Sequence, residues 1–303
     1  MTTLITVLAL VMAVGAGARS TWSPCGRSMF STITPIGEQA RGTKFATSAT
    51  WFVIGGVAGG ATLGGALALV AVGIGALHLT AGTVGVVACV AALVAAASDS
   101  RIAGVQIPIH RRQVNEVWLD RFRPWVYGAG FGWQIGSGLV TYIMTAAVYL
   151  VAVLAVLTGN PWTALGVGVL FGTVRGLAVL LGRVITTPAR LASFHRRFAE
   201  LEPLSRRVIV GMEVVVASVV AGALWLPAAA VVVAVAGVGW AVGRQALVPE
   251  GECSVPRPAN ASSLGVEPDG VVWRQSATEP VSATEPASVS EPVSVSEARP
   301  VLR

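Results

Sequence analysis

The stretch TSATWFVIGGVAGGATLGGALALVAVGIGALHLTAGTVGVVACVAALVAAA occupies residues 47–97 and contains no Asp, Glu, Lys or Arg. It divides into two apolar runs, 47–77 and 80–97, which meet the requirement of roughly 20 apolar residues for a transmembrane helix. Almost no linker separates the runs at His78. The pattern therefore predicts a helical hairpin across a membrane, which we number as spans two and three.

The composition of the whole chain agrees with this interpretation. Hydrophobic residues make up 54% and charged residues 12% of the 303 residues, and the mean hydropathy is +0.71. Soluble domains carry about 25% charged residues, so the lipid bilayer is the expected surrounding. The formal charge of +6 indicates membrane topology, because Lys and Arg collect in cytoplasmic loops. We predict no nucleic-acid partner.

Further apolar runs predict an all-α polytopic membrane protein with six or seven transmembrane helices. The small residues before Arg19 resemble a signal-peptidase site, but the positively charged n-region is missing, so residues 2–17 are interpreted as a membrane helix. This helix breaks at Ser23-Pro24 and resumes to about Ile36. The fourth predicted span, over 125–158, is glycine-rich and discontinuous, and the fifth covers 162–185. Residues 208–243 form either one long span or, preferably, a hairpin of two spans that turns at Pro227.

Two arginine-rich segments set the predicted orientation. Residues 99–124 and the loop carrying Arg190, Arg196, Arg197, Arg206 and Arg207 are expected to be cytoplasmic. The N-terminus is then outside the plasma membrane, and the two halves form an inverted repeat of three plus three helices, each half opening with a broken helix. The predicted domains are a first repeat (1–98), a basic cytoplasmic loop (99–124), a second repeat with an extra helix (125–244), and a disordered cytoplasmic tail rich in Ser, Glu and Pro (245–303).

The segment Arg19-Ser-Thr-Trp-Ser-Pro-Cys-Gly-Arg27 places two guanidiniums and a thiol in the first predicted span. A charge at the bilayer centre costs at least about 2.5 kcal/mol, which suggests a functional use. The arginines could neutralise an anionic solute or favour the thiolate of Cys25. Alternatively, both arginines snorkel to an interface. The candidate substrate-binding residues are Arg19, Ser23, Pro24, Arg27, Gln134 and Arg175, with Cys25 as a possible redox thiol.

Two ionisable residues fall within later predicted spans. Arg175 lies in the fifth and Glu213 early in the sixth, and pairing them would offset two desolvation costs. We predict a structural Arg175–Glu213 pair in preference to a proton-coupling role. The glycine pairs from Gly55 to Gly65 recur every four or five residues, which predicts close helix packing in preference to a hinge or substrate path.

Trp22-Ser23-Pro24-Cys25 with the later Thr34-Pro35 resembles the first membrane helix of the cytochrome c biogenesis and disulfide-reductase transmembrane family. The segment Gly130–Gly136 (GFGWQIG) is similar to the Gly-Trp tract before that family's second cysteine, but the proline and the cysteine are absent here. The resemblance implies an inverted pair of three-helix repeats and membership of a wider group of small-solute exporters. It also implies a periplasmic or membrane redox partner for Cys25.

Three functions are compatible with these residues. The first is a transporter or exporter of a small, anionic solute. The second is a thiol-disulfide electron relay through Cys25, weakened because Cys89 is typical of a small buried hydrophobe and Cys253 lies in the predicted tail. The third is a non-catalytic membrane scaffold. No metal site, cofactor motif or nucleophile-base constellation is recognisable, so we do not predict a conventional enzyme.

Overall fold

The computed structural model describes residues 1–101, 122–138, 143–225, 227, 229, 231–235 and 237. These residues all belong to one compact unit, and they form helices joined by turns, with no strand among them. The predicted all-α class is confirmed. The helices are α1 (Thr2–Arg19), α2 (Pro24–Thr32), α3 (Pro35–Ala40), α4 (Phe45–Ala76), α5 (Ala81–Asp99), α6 (Pro124–Ser137), α7 (Ala147–Leu157), α8 (Pro161–Leu177) and α9 (Pro188–Leu224).

Five helical segments among the described residues are long and apolar enough to cross a membrane. They are Thr2–Trp22, Phe45–Ala76, Ala81–Asp99, Pro161–Val184 and Pro188–Leu224. The shorter helices α6 and α7 lie within the predicted fourth span, and α7 is apolar throughout. The chain is therefore a multi-pass membrane protein.

The end of α9 bears on the predicted seventh span. The helix stops at Leu224, and Trp225 is extended. A Cβ added at Gly222 would lie 3.5 Å from the Cβ of Ala229, so the chain turns back against the end of α9. Residues 231–235 after this turn are helical, while 238–243, the basic segment 102–121 and the predicted tail lie outside the described residues.

Both predicted helix breaks are present. Between α1 and α2 the chain forms a 3-10 turn over Ser20–Trp22 and then extends at Ser23. The Ser23 hydroxyl accepts a hydrogen bond from the Gly26 N–H at 3.2 Å. Ser23 is thus the N-cap of α2, and Pro24 is the first residue of the helix, where proline is favoured. The second part is shorter than predicted, because Thr34 caps a separate helix, α3, at Pro35.

The predicted basic loop between the fifth and sixth spans is helical, so that part of the prediction is wrong. Thr187 caps α9 at Pro188, and the helix runs through the arginines into the membrane span. The indole of Trp22 stacks on Phe198 with ring centroids 4.5 Å apart, and its Nε1 donates to the Phe198 carbonyl at 2.8 Å. These contacts hold the basic half of α9 against the first helix break.

Glycines set the distance between α4 and its two neighbours. On one side, a Cβ at Gly132 would lie 3.0 Å from the backbone N of Gly56. On the other side, a Cβ at Gly60 would lie 2.8 Å from the Cα of Gly172. Because the three backbones touch, larger side chains are excluded from both interfaces, and the packing interpretation of the glycine pattern is confirmed.

The order of these contacts gives the helix directions. Along α6, Gly128 and then Gly132 meet Ser48 and then Phe52 of α4, so α4 and α6 are parallel. Along α8, by contrast, Gly168 and then Gly176 meet residues of α4 in descending order, so those two helices are antiparallel.

The same reasoning applies to α9, whose contacts with α1 and α5 also run in opposite order. On α1, Gly15 meets Met212 while Trp22 meets Phe198. On α5, Gly85 meets Leu224 while Cys89 meets Ala217. Helix α9 is therefore antiparallel to both α1 and α5.

Candidate functional site

Cys25 lies at the second position of α2, directly after the helix break. The residue is only 2% exposed and packs in an apolar cluster with side chains from α2, α4 and α6, including Phe30, Phe52 and Ile135. Ser23 and Pro24 form the turn that begins α2. The thiol is thus placed at the positive end of a helix, away from the lipid and from water.

Arg175 of α8 faces the same break. It is 3% exposed, and its guanidinium carbon lies 5.6 Å from the centroid of the Phe171 ring. The Cys25 sulfur is within electrostatic range of this guanidinium. The Nε and Nη2 atoms of Arg175 have no hydrogen-bond partner among the described residues. A buried donor without an acceptor costs about 1–3 kcal/mol, so Arg175 presents two unused donors in an apolar site.

The second helix break, after α6, lies against Phe171 and is thereby close to Arg175. Helix α6 ends at Ser137, and Gly138 has a φ of 68°, which favours glycine because a Cβ is strained in that conformation. A Cβ at Gly138 would also lie 2.6 Å from the Phe171 ring. Gln134 is half-buried on α6, one turn before this glycine. Arg175 and Phe171 therefore lie between the two interrupted helices.

The two remaining predicted site residues lie elsewhere. Arg19 is 5% exposed, but its Nη1 donates to the Ser205 hydroxyl at 2.9 Å and its Nη2 lies 3.5 Å from Glu202 Oε1. Its charge is therefore balanced by α9. Arg27 is exposed on α2. The structure brings together Ser23, Pro24, Cys25 and Arg175, and we call this group the break site.

The predicted Arg175–Glu213 pair is not formed. Both Glu213 carboxyl oxygens lack a hydrogen-bond partner in the described part of the chain, as do Nε and Nη2 of Arg175. The reason is the position of α1, which packs against α8 at Gly17 and against α9 at Gly15 and so lies between the two side chains. The sequence places both residues in membrane spans but cannot show which helix separates them.

The carboxyl of Glu213 instead lies beside that of Asp99 at the end of α5. Asp99 Oδ1 accepts from the Ala146 N–H at 2.6 Å, and Oδ2 accepts from the Thr145 hydroxyl. Asp99 thus caps the start of α7. Sequence reasoning missed this acidic pair, because Asp99 follows the apolar run of the third span and was assigned to the water-exposed loop.

A second polar cluster surrounds Glu38 of α3, which is 0% exposed. Its carboxylate accepts hydrogen bonds from Arg41 at 2.7 Å, Ser48 at 2.7 Å and Tyr127 at 2.6 Å, and also from Thr43. Burial alone would raise the pKa of Glu38, but these hydrogen bonds outweigh it and the pKa lies below its ordinary value. The cluster joins α3 to α4 and α6 beside the apolar packing around Cys25.

Two observations limit the chemistry of these groups. No set of three or more His, Cys, Asp or Glu side chains that could hold a metal ion occurs in the part of the chain that the structure describes. Cys25 and Cys89 are both free thiols, and they belong to different apolar clusters. Cys25 and Cys89, the two cysteines of the described residues, therefore form no disulfide with each other.

Curated relatives of this chain share one name. It is 33% identical over 202 residues to the methylamine utilization protein MauF of Paracoccus versutus, an alignment that covers 64% of this chain and 72% of the relative. The proteins of the same name from Methylobacillus flagellatus and Paracoccus denitrificans are 30% and 31% identical, over 66% and 65% of this chain and 73% and 72% of the relatives. No family model matches the chain, and no solved structure matches it.

These relatives carry a different family name from the cytochrome c biogenesis and disulfide-reductase family that residues 22–25 resemble. The comparison thus supports the membrane-protein class of that prediction and replaces the family.

Proposed function

Because the chain belongs to the MauF family of methylamine utilization proteins, we propose that it acts in methylamine utilization as a membrane transporter of a small anionic solute. The solute binds at the break site between the two interrupted helices. Candidate contacts are Arg175, the α2 N-terminus with Ser23 and Pro24, and Gln134 at the edge. Arg19 and Arg27 are left out of the binding set, since one is paired with α9 and the other is exposed.

The observation that carries this proposal is the open guanidinium of Arg175. A cation buried without a partner in a membrane protein is expensive, and two of its donors point to no protein acceptor among the described residues. Together with the positive end of α2, the guanidinium offers charge and hydrogen bonds to an anion. Interrupted helices form such solute sites near the bilayer midplane in secondary transporters.

The same chemistry argues against methylamine itself as the solute of this site. A primary amine is protonated at neutral pH, like a lysine side chain, and a guanidinium repels it. We therefore assign the break site to an anion that accompanies methylamine utilization.

The proposed orientation has the N-terminus outside and the basic half of α9 in the cytoplasm of a plasma membrane. The turns after α4 and α7 lie together, because a Cβ at Gly75 would lie 2.7 Å from the Gly159 carbonyl. Neither turn carries Lys or Arg. The arginines of α9 lie at the other end, where Trp22 contacts Phe198, and the positive-inside rule assigns that end to the cytoplasm.

A thiol relay is the second candidate, because Cys25 is a free thiol at the N-terminus of α2, directly after the first helix break. In that case the thiolate attacks a partner's disulfide, forms a mixed disulfide and releases one partner thiolate. The burial of Cys25 to 2% exposure hinders access by a protein partner. We therefore rank the relay below anion transport.

We expect small anions to stabilise the purified protein, and Arg175→Met to abolish that response. The probes are sodium formate, acetate, bicarbonate, sulfite and phosphate at constant ionic strength, and the readout is thermal unfolding followed by tryptophan fluorescence. An anion at 100 times its dissociation constant stabilises the folded state by about 2.7 kcal/mol. Without anion, Arg175→Met unfolds at a higher temperature than wild type, because an unpaired buried charge is removed.

The matched control is Arg183→Gln, which removes an exposed arginine from the 3-10 segment that continues α8. This variant keeps the response to anions, and so does Cys25→Ser. An equal response in wild type and Arg175→Met would contradict the proposal. Loss of the response in Cys25→Ser, together with a mixed disulfide on Cys25 in membranes, would favour the thiol relay instead.

A further inference from the structure

Glu213 is the most completely buried acidic group within the membrane spans. It is 0% exposed, and no N–H or hydroxyl donor among the residues that the structure describes gives either of its carboxyl oxygens a hydrogen bond. Its neighbour is the carboxyl of Asp99. An ionised carboxylate without a partner in such a place is strongly disfavoured, so Glu213 needs a bound cation.

Asp99 differs from Glu213 in its surroundings. It accepts hydrogen bonds from Thr145 and from the Ala146 N–H at the start of α7, where the helix dipole favours negative charge. It is also half-buried, near the end of α5. These hydrogen bonds favour the ionised form of Asp99 over that of Glu213, which has none of them.

The other charged groups around the pair lie on α1 and α9. Arg19 acts on Asp99 electrostatically, while its own hydrogen bond and ion pair are with Ser205 and Glu202. Arg206 in turn acts on Arg19. With Arg19 engaged in this way, no cationic side chain of the described residues forms an ion pair with Glu213, and a bound proton is what can neutralise its buried carboxyl.

We propose that Glu213 and Asp99 form a proton-binding site whose occupancy controls the second helix break. One proton is held between the two carboxyls. When Asp99 is ionised it caps α7 through Thr145 and Ala146. When the proton moves onto Asp99 the cap weakens, and the start of α7 is released beside the break that reaches Phe171 and Arg175 at Gly138. The proton site itself is independent of the proposed function. Only the coupling of the proton to anion movement rests on it.

Dicyclohexylcarbodiimide, which reacts with protonated carboxyls in apolar surroundings, tests the site without any solute. In liposomes containing the full chain, we expect an adduct on Glu213, located by mass spectrometry of peptides. Labelling falls about tenfold per pH unit above the midpoint of titration. The midpoint moves in Asp99→Asn, because the two carboxyls titrate as a pair. Glu202 of the same helix, which is 47% exposed, remains unlabelled.

Several results would overturn the proposal. These are no adduct on Glu213 at any pH, labelling that does not vary with pH, and an unchanged midpoint in Asp99→Asn. Protection by sodium or methylammonium at constant pH would show that another cation occupies the site. Because wild-type protein alone gives the first two readouts, a folding defect in a variant cannot hide them. If anions fail to stabilise the protein while Glu213 still titrates, the proton site stands and the anion proposal fails.

Discussion

Gly172→Val does not accumulate as folded protein in the membrane. A Cβ at this position would lie 2.6 Å from the Cα of Gly60 and 2.7 Å from its backbone N. The obstacle is backbone, so no rotamer change relieves it, and α4 and α8 must separate along their whole contact. The loss of stability exceeds the upper end of the about 1–3 kcal/mol that overpacking usually costs, because the contact on the opposite face of α4 is strained as well.

Gly166→Val is the matched control on the same helix. A Cβ there meets nothing within 4 Å, and the residue is exposed on the membrane-spanning surface. With both variants carrying a fluorescent fusion, size-exclusion chromatography of detergent extracts should give a single peak for Gly166→Val and only aggregate for Gly172→Val. A monodisperse Gly172→Val protein with wild-type thermal stability would show that the glycine contact does not determine the fold.

Glu38→Ala has the second-largest expected effect. It leaves Arg41, Ser48, Tyr127 and Thr43 without their shared acceptor in a buried position. Removing one partner from such a network costs about 3 kcal/mol or more. The thermal unfolding midpoint, read from the fluorescence of the nine tryptophans, falls accordingly. Glu200→Gln, which changes an exposed carboxylate, leaves it unchanged.

The contribution of Glu38 depends on pH in a defined direction. Its pKa is depressed in the folded protein, so the stabilisation is complete above the ordinary glutamate pKa of about 4.3 and is lost as the pH falls through the lower folded value. The difference in unfolding midpoint between wild type and Glu38→Gln should therefore be constant near neutrality and shrink on acidification. A difference that grows at low pH would contradict the assignment of Glu38 as an ionised acceptor.

The membrane spans and their breaks could be predicted from sequence, because both depend on local properties. Apolar length placed α4 and α5 within a few residues of their observed bounds, and Ser23-Pro24 located the first break. The glycine-rich stretch before Gly138 located the second, where the positive φ requires glycine. The basic half of α9 was mistaken for a loop, because charge density masked a helix that begins at the Thr187-Pro188 cap.

The pairing of polar groups could not be predicted, since it depends on which helices are neighbours. Arg175 and Glu213 were each recognised as buried ionisable residues, but α1 lies between them. Asp99 was assigned to the cytoplasmic loop because it directly follows an apolar run, and Glu38 was not recognised as a buried residue. Their burial comes from contacts with Thr145 and Tyr127, which are 46 and 89 residues away in the chain.

The close contact of α4 with α6 and α8 has a mechanical consequence. If these helices separated slightly, the gap would be too narrow for lipid or water to fill. The backbone contacts would be lost without replacement, so small displacements are unfavourable. We therefore expect the three helices to move together as one rigid unit. By contrast, α9 meets α1 and α5 through the side chains of Met212 and Leu224. These side chains can change rotamer, so we expect α9 to move more easily against the rigid unit.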